Sequence, residues 1–315
     1  MTYEEKLLEL AAKDDNIFVL TAENRAAIRN LPKQMGERFI DVGIAEQTMV
    51  GVASGLALRG RIPFVHALAT FLTMRAFEFI RTDVGIGRLP VKLAGAVPGF
   101  LSEANGPTHQ AIEDIGLMRG IPSMHIFCPA DKEELVEALD VVASTPSPCY
   151  LRFNDIAPSV SHTIPFEWGK AELLSDGGDV TLLTYGFLLK EALIAKDVLE
   201  TSNHSVRLVN LRSLSPIDEA MIVESARRTR LLITIEDHFL TGGLYCIVSE
   251  VLVRNNVLCK VFPVALKARW FVPGLLEDVL ISEGFSGRQL ATRILAVLHG
   301  SSVTEMENNN AAALH

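Results

Sequence analysis

Short apolar runs alternate along the chain with segments whose apolar positions recur every three or four residues. The runs NIFVLTA (16–22), RFIDVG (38–43), RIPFVHA (61–67), PVKLAGAV (90–97), MHIFCPA (124–130) and CYLRF (149–153) are bounded by Gly, Pro or charge. They are rich in β-branched and aromatic residues, which predicts strands. Helix-period segments lie between them at 44–59, 71–85, 110–118 and 131–144. The last has a clear start, with Asp131 as N-cap and Glu134 three residues on. Alternation of this kind predicts a parallel sheet with helices on both faces.

A polar, proline-containing stretch without period, DIAPSVSHTIPFEWG, then interrupts the pattern. Beyond it the alternation resumes. DVTLLTYG (179–186) and SVRLVNLRSL (205–214) flank a helix at 188–200, and LLITIEDH (231–238) and CKVFPVAL (259–266) flank another at 243–254. A last helix is expected at 286–298, and an acidic, helix-like segment opens the chain. The expected fold is α/β, two doubly wound domains: a mostly parallel-sheet domain at 1–155, a linker at 156–169, and a smaller α/β domain at 170–300. Residues 301–315 end in ENNNAAALH and read as a frayed end or a cloning scar.

Composition narrows the function. The chain has 315 residues, of which 49% are hydrophobic, enough for two buried cores. It has no run of eighteen apolar residues and no basic, apolar leader, so neither a membrane span nor a secretory signal is expected. The net charge of −9 is spread along the chain, without the basic patch that nucleic acid would require. Cys128, Cys149, Cys246 and Cys259 lack metal-ligand or redox spacing and read as reduced thiols of a cytoplasmic protein.

One acid stands out. Glu46 follows a strand and the Gly43 turn, and sits in the first turn of a helix-period segment. Nothing nearby in sequence is positively charged. An acid there complements the helix dipole, but ligands also collect at the carboxyl ends of strands in open α/β sheets. The small residues Gly51, Ala53, Ser54, Gly55 and Ala57 that follow would let another backbone approach. Further candidates are Phe71 at a strand end and His109 after a Gly-Pro turn. Asp237 and His238 precede a Gly pair that opens a helix, and read as structural capping residues.

Four stretches carry a resemblance together: DVGIAEQ, TFLTMRAFEFIR, NGPTHQAIED and ITIEDHFLTGG. In order and spacing they resemble the pyrimidine-binding and C-terminal domains of transketolases, over roughly residues 10–300. The resemblance implies thiamine diphosphate as cofactor. Glu46 would hydrogen-bond its aminopyrimidine and favour the imino tautomer that deprotonates the thiazolium. A carboxylate in a dry crevice can share a proton in this way. Phe71 would stack on the pyrimidine, and Ile44 and Leu68 would complete its pocket. His109 would face substrate oxygens as donor or proton shuttle. Arg152 matches the position that holds the anionic tail of the sugar, a task suited to a guanidinium.

The family's Gly-Asp-Gly…Asn signature for Mg²⁺ and the diphosphate is not found, so no metal ligand is expected in this chain. The resemblance therefore implies the C-terminal subunit of a split transketolase. An N-terminal subunit would carry Mg²⁺ and the diphosphate, and the assembly would be a dimer of heterodimers. Three features separate the chain from the family at the expected substrate mouth. Val97 replaces a His, Asn105 stands where an Asp is usual, and His66 and Arg25 are extra. They suggest a different anion on the sugar, such as a sulfonate or a phosphate at another distance. Alternatives are a deoxyxylulose-phosphate-synthase-like subunit, a 2-oxoacid dehydrogenase β-like subunit, or a non-catalytic stabilising subunit.

Overall fold

In the computed structural model, which describes residues 1–300, two sheets are built from twelve strands. The first half contributes β1 (Ile17–Thr21), β2 (Phe39–Asp41), β3 (Ile62–Leu68), β4 (Lys92–Ala96), β5 (His125–Phe127) and β6 (Cys149–Phe153). The second contributes β7 (Glu172–Ser175), β8 (Val180–Thr184), β9 (Val206–Asn210), β10 (Ser213–Ser215), β11 (Leu231–Phe239) and β12 (Lys260–Leu266). The larger sheet has the order β10-β5-β6-β4-β3-β1-β2, and the smaller β12-β11-β8-β9-β7. All pairings are parallel except β10 with β5 and β7 with β9. Two doubly wound, mostly parallel sheets are the expected class. The 301–315 tail lies outside the described residues.

Period-2 alternation sets the layers of the larger sheet. Val19 and Phe64 point to one face, where Leu7, Leu135 and Leu139 cover them. Their neighbours Leu20 and Val65 point to the other, against Met49, Ile115 and Met118. Both faces are apolar because helices bury both, as parallel sheets require. The second core continues across the junction to Leu183, Tyr185, Val209, Leu244 and Val248 of the smaller domain.

The structure differs from expectation in places. SVRLVNLRSL is not one strand. It breaks after Asn210, and Ser213–Ser215 crosses to the larger sheet and pairs antiparallel with β5. The helix expected at 71–85 is a chain of π-helical turns, Phe71–Arg75 and Ile80–Gly85, around a short α-helical piece. The helix expected at 110–118 begins only at Asp114. The helix at 244–254 is capped by Glu236, not Asp237: its carboxylate accepts from the Leu244 and Tyr245 amides at 2.5 and 2.9 Å.

Candidate functional site

Glu46 opens the helix Glu46–Leu58 just beyond the end of β2. Gly43 makes the turn with φ at 72°, and its amide donates to the Asp41 carboxylate at 2.9 Å. The Glu46 side chain is only 2% exposed. It has a partner that its sequence neighbourhood did not suggest. Arg75 Nη1 donates to Oε1 at 3.0 Å and Oε2 at 2.9 Å.

Arg75 comes from the π-helical turn after β3. Ala76 N donates to Phe71 O at 3.3 Å, an i to i+5 bond that widens the turn. The guanidinium lies over the Phe71 ring, 4.1 Å from its centroid. Phe71 in turn meets the edge of the His109 ring, with centroids 5.1 Å apart. Glu46, Arg75, Phe71 and His109 thus form one contiguous chain of contacts from three separate segments. His109 Nδ1 is engaged by the Thr108 hydroxyl at 2.9 Å. Its Nε2 has no partner among the described residues. Arg75 was not singled out from the sequence. Its place one helical turn after Phe71 was the available signal.

The remaining expected residues are distributed differently. Ile44 is 71% exposed and projects beside the Glu46 turn. Leu68 and His66 end β3 and line a cavity of about 390 Å³ together with Val97, Glu103, Asn154 and Asp155. His66 is buried between the Tyr3 hydroxyl at 2.8 Å and the Leu20 carbonyl at 3.3 Å. Burial pushes its pKa down to about 4, so the ring is neutral at physiological pH. Arg25 lies outside that lining and is held by Asp41, with Nε 2.8 Å from Oδ2. Asn105 is exposed at the end of the helical turn Gly99–Asn105. Of the small residues after Glu46, Ala53, Ser54 and Ala57 are buried within the chain itself. A side chain at Gly51 or Gly55 would meet nothing, which leaves that face open.

Arg152 requires a correction. Its side chain is 4% exposed, with Nε 2.8 Å from Asp114 and Nη1 2.6 Å from Asp237. Tyr150 donates to the same Asp114 oxygen at 2.7 Å. Burial works against the Arg152 charge, but the two aspartates outweigh it and raise the pKa well above its ordinary value. Arg152 therefore ties the two domains together and presents nothing to a substrate's anionic tail. The guanidinium is committed to carboxylates that lie 38 and 85 residues away in sequence.

A second polar knot lies at the linker. His162 contacts Glu172 at 2.7 Å and Asp131 at 3.0 Å, with Glu134 at 3.9 Å. Burial disfavours its charge, but hydrogen bonds to Asp131 and Glu172 prevail and raise its pKa to about 10. Arg212 adds a cation 3.5 Å from Glu134.

Comparison with known proteins agrees with this architecture. The family model for the transketolase pyrimidine-binding domain matches residues 1–157, and that for the transketolase C-terminal domain matches residues 169–283. The chain belongs to the transketolase family. It is 38% identical over 259 residues to a 6-deoxy-6-sulfo-D-fructose transketolase subunit of Clostridium sp., covering 81% of this chain and 80% of that protein. It is 33% identical over 299 residues to a putative transketolase C-terminal section of Methanocaldococcus jannaschii, covering 93% and 94%. A solved split-gene transketolase, described as an inactive β4 tetramer, superposes with a TM-score of 0.86 at 34% identity, covering 95% of this chain and 98% of that one.

Proposed function

We propose that this chain is the C-terminal subunit of a thiamine diphosphate-dependent transketolase that moves a two-carbon ketol unit from a ketose to an aldose. The observation that carries this reading is the buried Glu46 carboxylate one contact from the Phe71 ring. The Arg75 guanidinium already joins the two. It is a flat, delocalised group whose N–H donates to the carboxylate while its face lies on the ring. A protonated aminopyrimidine has the same two properties, so the residues present fit the cofactor.

Thiamine diphosphate, when bound, supplies the electron sink for the ketose carbons. The chain's own residues hold and orient. Glu46 would hold a proton at the pyrimidine nitrogen, through oxygens that now accept from Arg75. Phe71 would support the ring face, as a flat apolar surface does. His109 would offer its unengaged Nε2 to a substrate oxygen, with Thr108 fixing Nδ1. Mg²⁺ requires oxygen ligands around the diphosphate. Among the described residues, Glu134, His162 and Glu172 form the group close enough to share a cation, and they are engaged in ion pairs at the linker.

A separate N-terminal subunit would therefore complete the site, in a cytoplasmic dimer of heterodimers. The Clostridium relative is named as a transketolase subunit. So is an apulose-4-phosphate transketolase relative from Phocaeicola vulgatus, 32% identical over 265 residues. Deoxyxylulose-phosphate synthases also match, but the chain spans about half their length, 47% and 49% in two of them. The test is calorimetric titration of Mg²⁺ and thiamine diphosphate into this chain alone and into the chain co-purified with its genomic neighbour. Binding confined to the pair is expected. Tight binding to the isolated chain would overturn the split-site reading.

A further inference from the structure

Unlike Glu46, Phe71 and Arg75, His109 lies on no helix or strand. It closes a tight turn in which Gly106 has φ 83° and the His109 amide donates to the Gly106 carbonyl at 2.9 Å. A side chain on an irregular segment keeps one direction only where other groups hold it. Those groups come from the smaller domain. Gln110, next to His109, is buried, and its Nε2 donates to the Phe271 carbonyl at 2.9 Å. Two residues further on, the Ile112 carbonyl accepts from the Phe239 amide at 2.8 Å. On the other side of His109, Pro273 Cγ lies 3.8 Å from where a Cβ on Gly106 would sit.

The acceptor for Gln110 is itself well fixed. Residues 267–275 run from β12 to the helix Leu276–Glu283 without regular structure. Trp270 and Val272 are exposed, but the Phe271 ring between them is buried. It meets Phe100 edge-on, with centroids 5.2 Å apart, and Phe100 meets Phe285 at 4.9 Å. An anchored ring holds its own backbone carbonyl in place. Gln110 is a poor choice for stability alone. Its Oε1 is buried without a hydrogen-bond partner among the described residues. A buried acceptor left unpaired costs more than one neutral hydrogen bond returns, so an apolar side chain would serve the packing at least as well. Departures of this kind are expected at functional positions.

We propose that Gln110 is a positioning residue: through the Phe271 carbonyl, the smaller domain fixes where the His109 ring points beside Phe71. The consequence for ketol transfer rests on the transketolase reading. The tether itself does not. A misplacement of about 1 Å can cost about a hundredfold in rate, so a single directed hydrogen bond is enough to matter.

Two readouts test the tether. Diethyl pyrocarbonate acylates accessible neutral imidazoles, and peptide mass spectrometry gives the rate at His109 relative to His204 of the smaller domain. In the full chain, Gln110→Ala is expected to raise that ratio about threefold or more, as the loop opens locally. Gln110→Glu tests the direction of the bond. A carboxylate cannot donate to the Phe271 carbonyl, so the ratio should rise in alkaline buffer. It should return toward the parent's, measured at the same pH, as the carboxyl protonates and regains a donor. In the chain co-purified with its partner subunit, Gln110→Ala should lower kcat about tenfold or more. Calorimetric affinity for thiamine diphosphate should stay within about twofold, because Glu46 and Phe71 keep their own anchors. A tie that served folding alone would lower the unfolding midpoint and leave the His109 ratio and kcat at parental values, which overturns the proposal. So does a Gln110→Glu ratio that ignores pH, and that variant decides alone if Gln110→Ala does not fold. A raised ratio in a pair that binds no cofactor would keep the tether and sink the transketolase reading.

Discussion

Two of the chain's arginine–carboxylate centres stand in contrast. Arg152 lies sealed between Asp114 and Asp237, with both sides of each ion pair under a few per cent exposed. Arg75 reaches Glu46 from a position that is 39% exposed, and only the carboxylate is buried. The first centre joins two domains and leaves no room for a ligand. Gly99 shows how tight it is: a Cβ there would lie 1.7 Å from Asp237 Oδ2. The second leaves its guanidinium partly open to solvent while the carboxylate stays covered. The same pair of functional groups is sealed in one place and half-open in the other.

The largest expected effect breaks the sealed centre. Arg152→Ala leaves two buried aspartates unpaired and should cost about 3–5 kcal/mol, read by denaturant unfolding. Unfolding midpoints close to the parent's would place Arg152 in a solvated site after all. Glu46→Gln should do the reverse. It should preserve stability to within about 1 kcal/mol and lower turnover of the reconstituted complex at least about a hundredfold. A scaffold subunit would show nearly parental activity instead.

Two histidines sharpen the contrast through pH. The pKa of His162 is raised to about 10 in the folded chain, against an ordinary 6.5. Its contribution to stability is whole below pH 6.5 and is lost as pH rises through about 10. The pKa of His66 is lowered to about 4, so its contribution is present above pH 6.5 and lost as pH falls through about 4. Each proton changes stability by at most about 1.4 kcal/mol per pH unit. His162→Ala should flatten the alkaline limb of the stability profile, and His66→Phe the acid limb. The smallest effect belongs to Arg75→Ala. A half-open pair is worth about 1 kcal/mol or less, so thermal unfolding should barely move.

Much of this was legible from residue order. Strands β1 to β6 of the larger sheet, the N-cap at Asp131 and the apolar alternation of β1 and β3 all follow local rules of period and capping. Glu46, Phe71 and His109 could be chosen as candidates because their motifs are short and contiguous. Their contact through Arg75 was half legible, since Arg75 and Phe71 share one turn of the chain. Other features were not. Nothing around Ser213 announces that it leaves its own sheet for β5. Nothing around Arg152 names Asp114 or Asp237 as partners. A strand-end arginine in a resembling motif suggested an anion site, and its orientation toward the domain junction overruled that.

The division has a physical cause. Backbone period, turns and caps depend on residues within a few positions of one another, so the sequence by itself determined the α/β alternation, the motif order and the reactive residue types. Charge pairing and cavity lining depend on which distant segments the sheet order brings together. Only the tertiary structure could decide that Arg152 is closed and that the buried Glu46 is paired with a half-exposed Arg75.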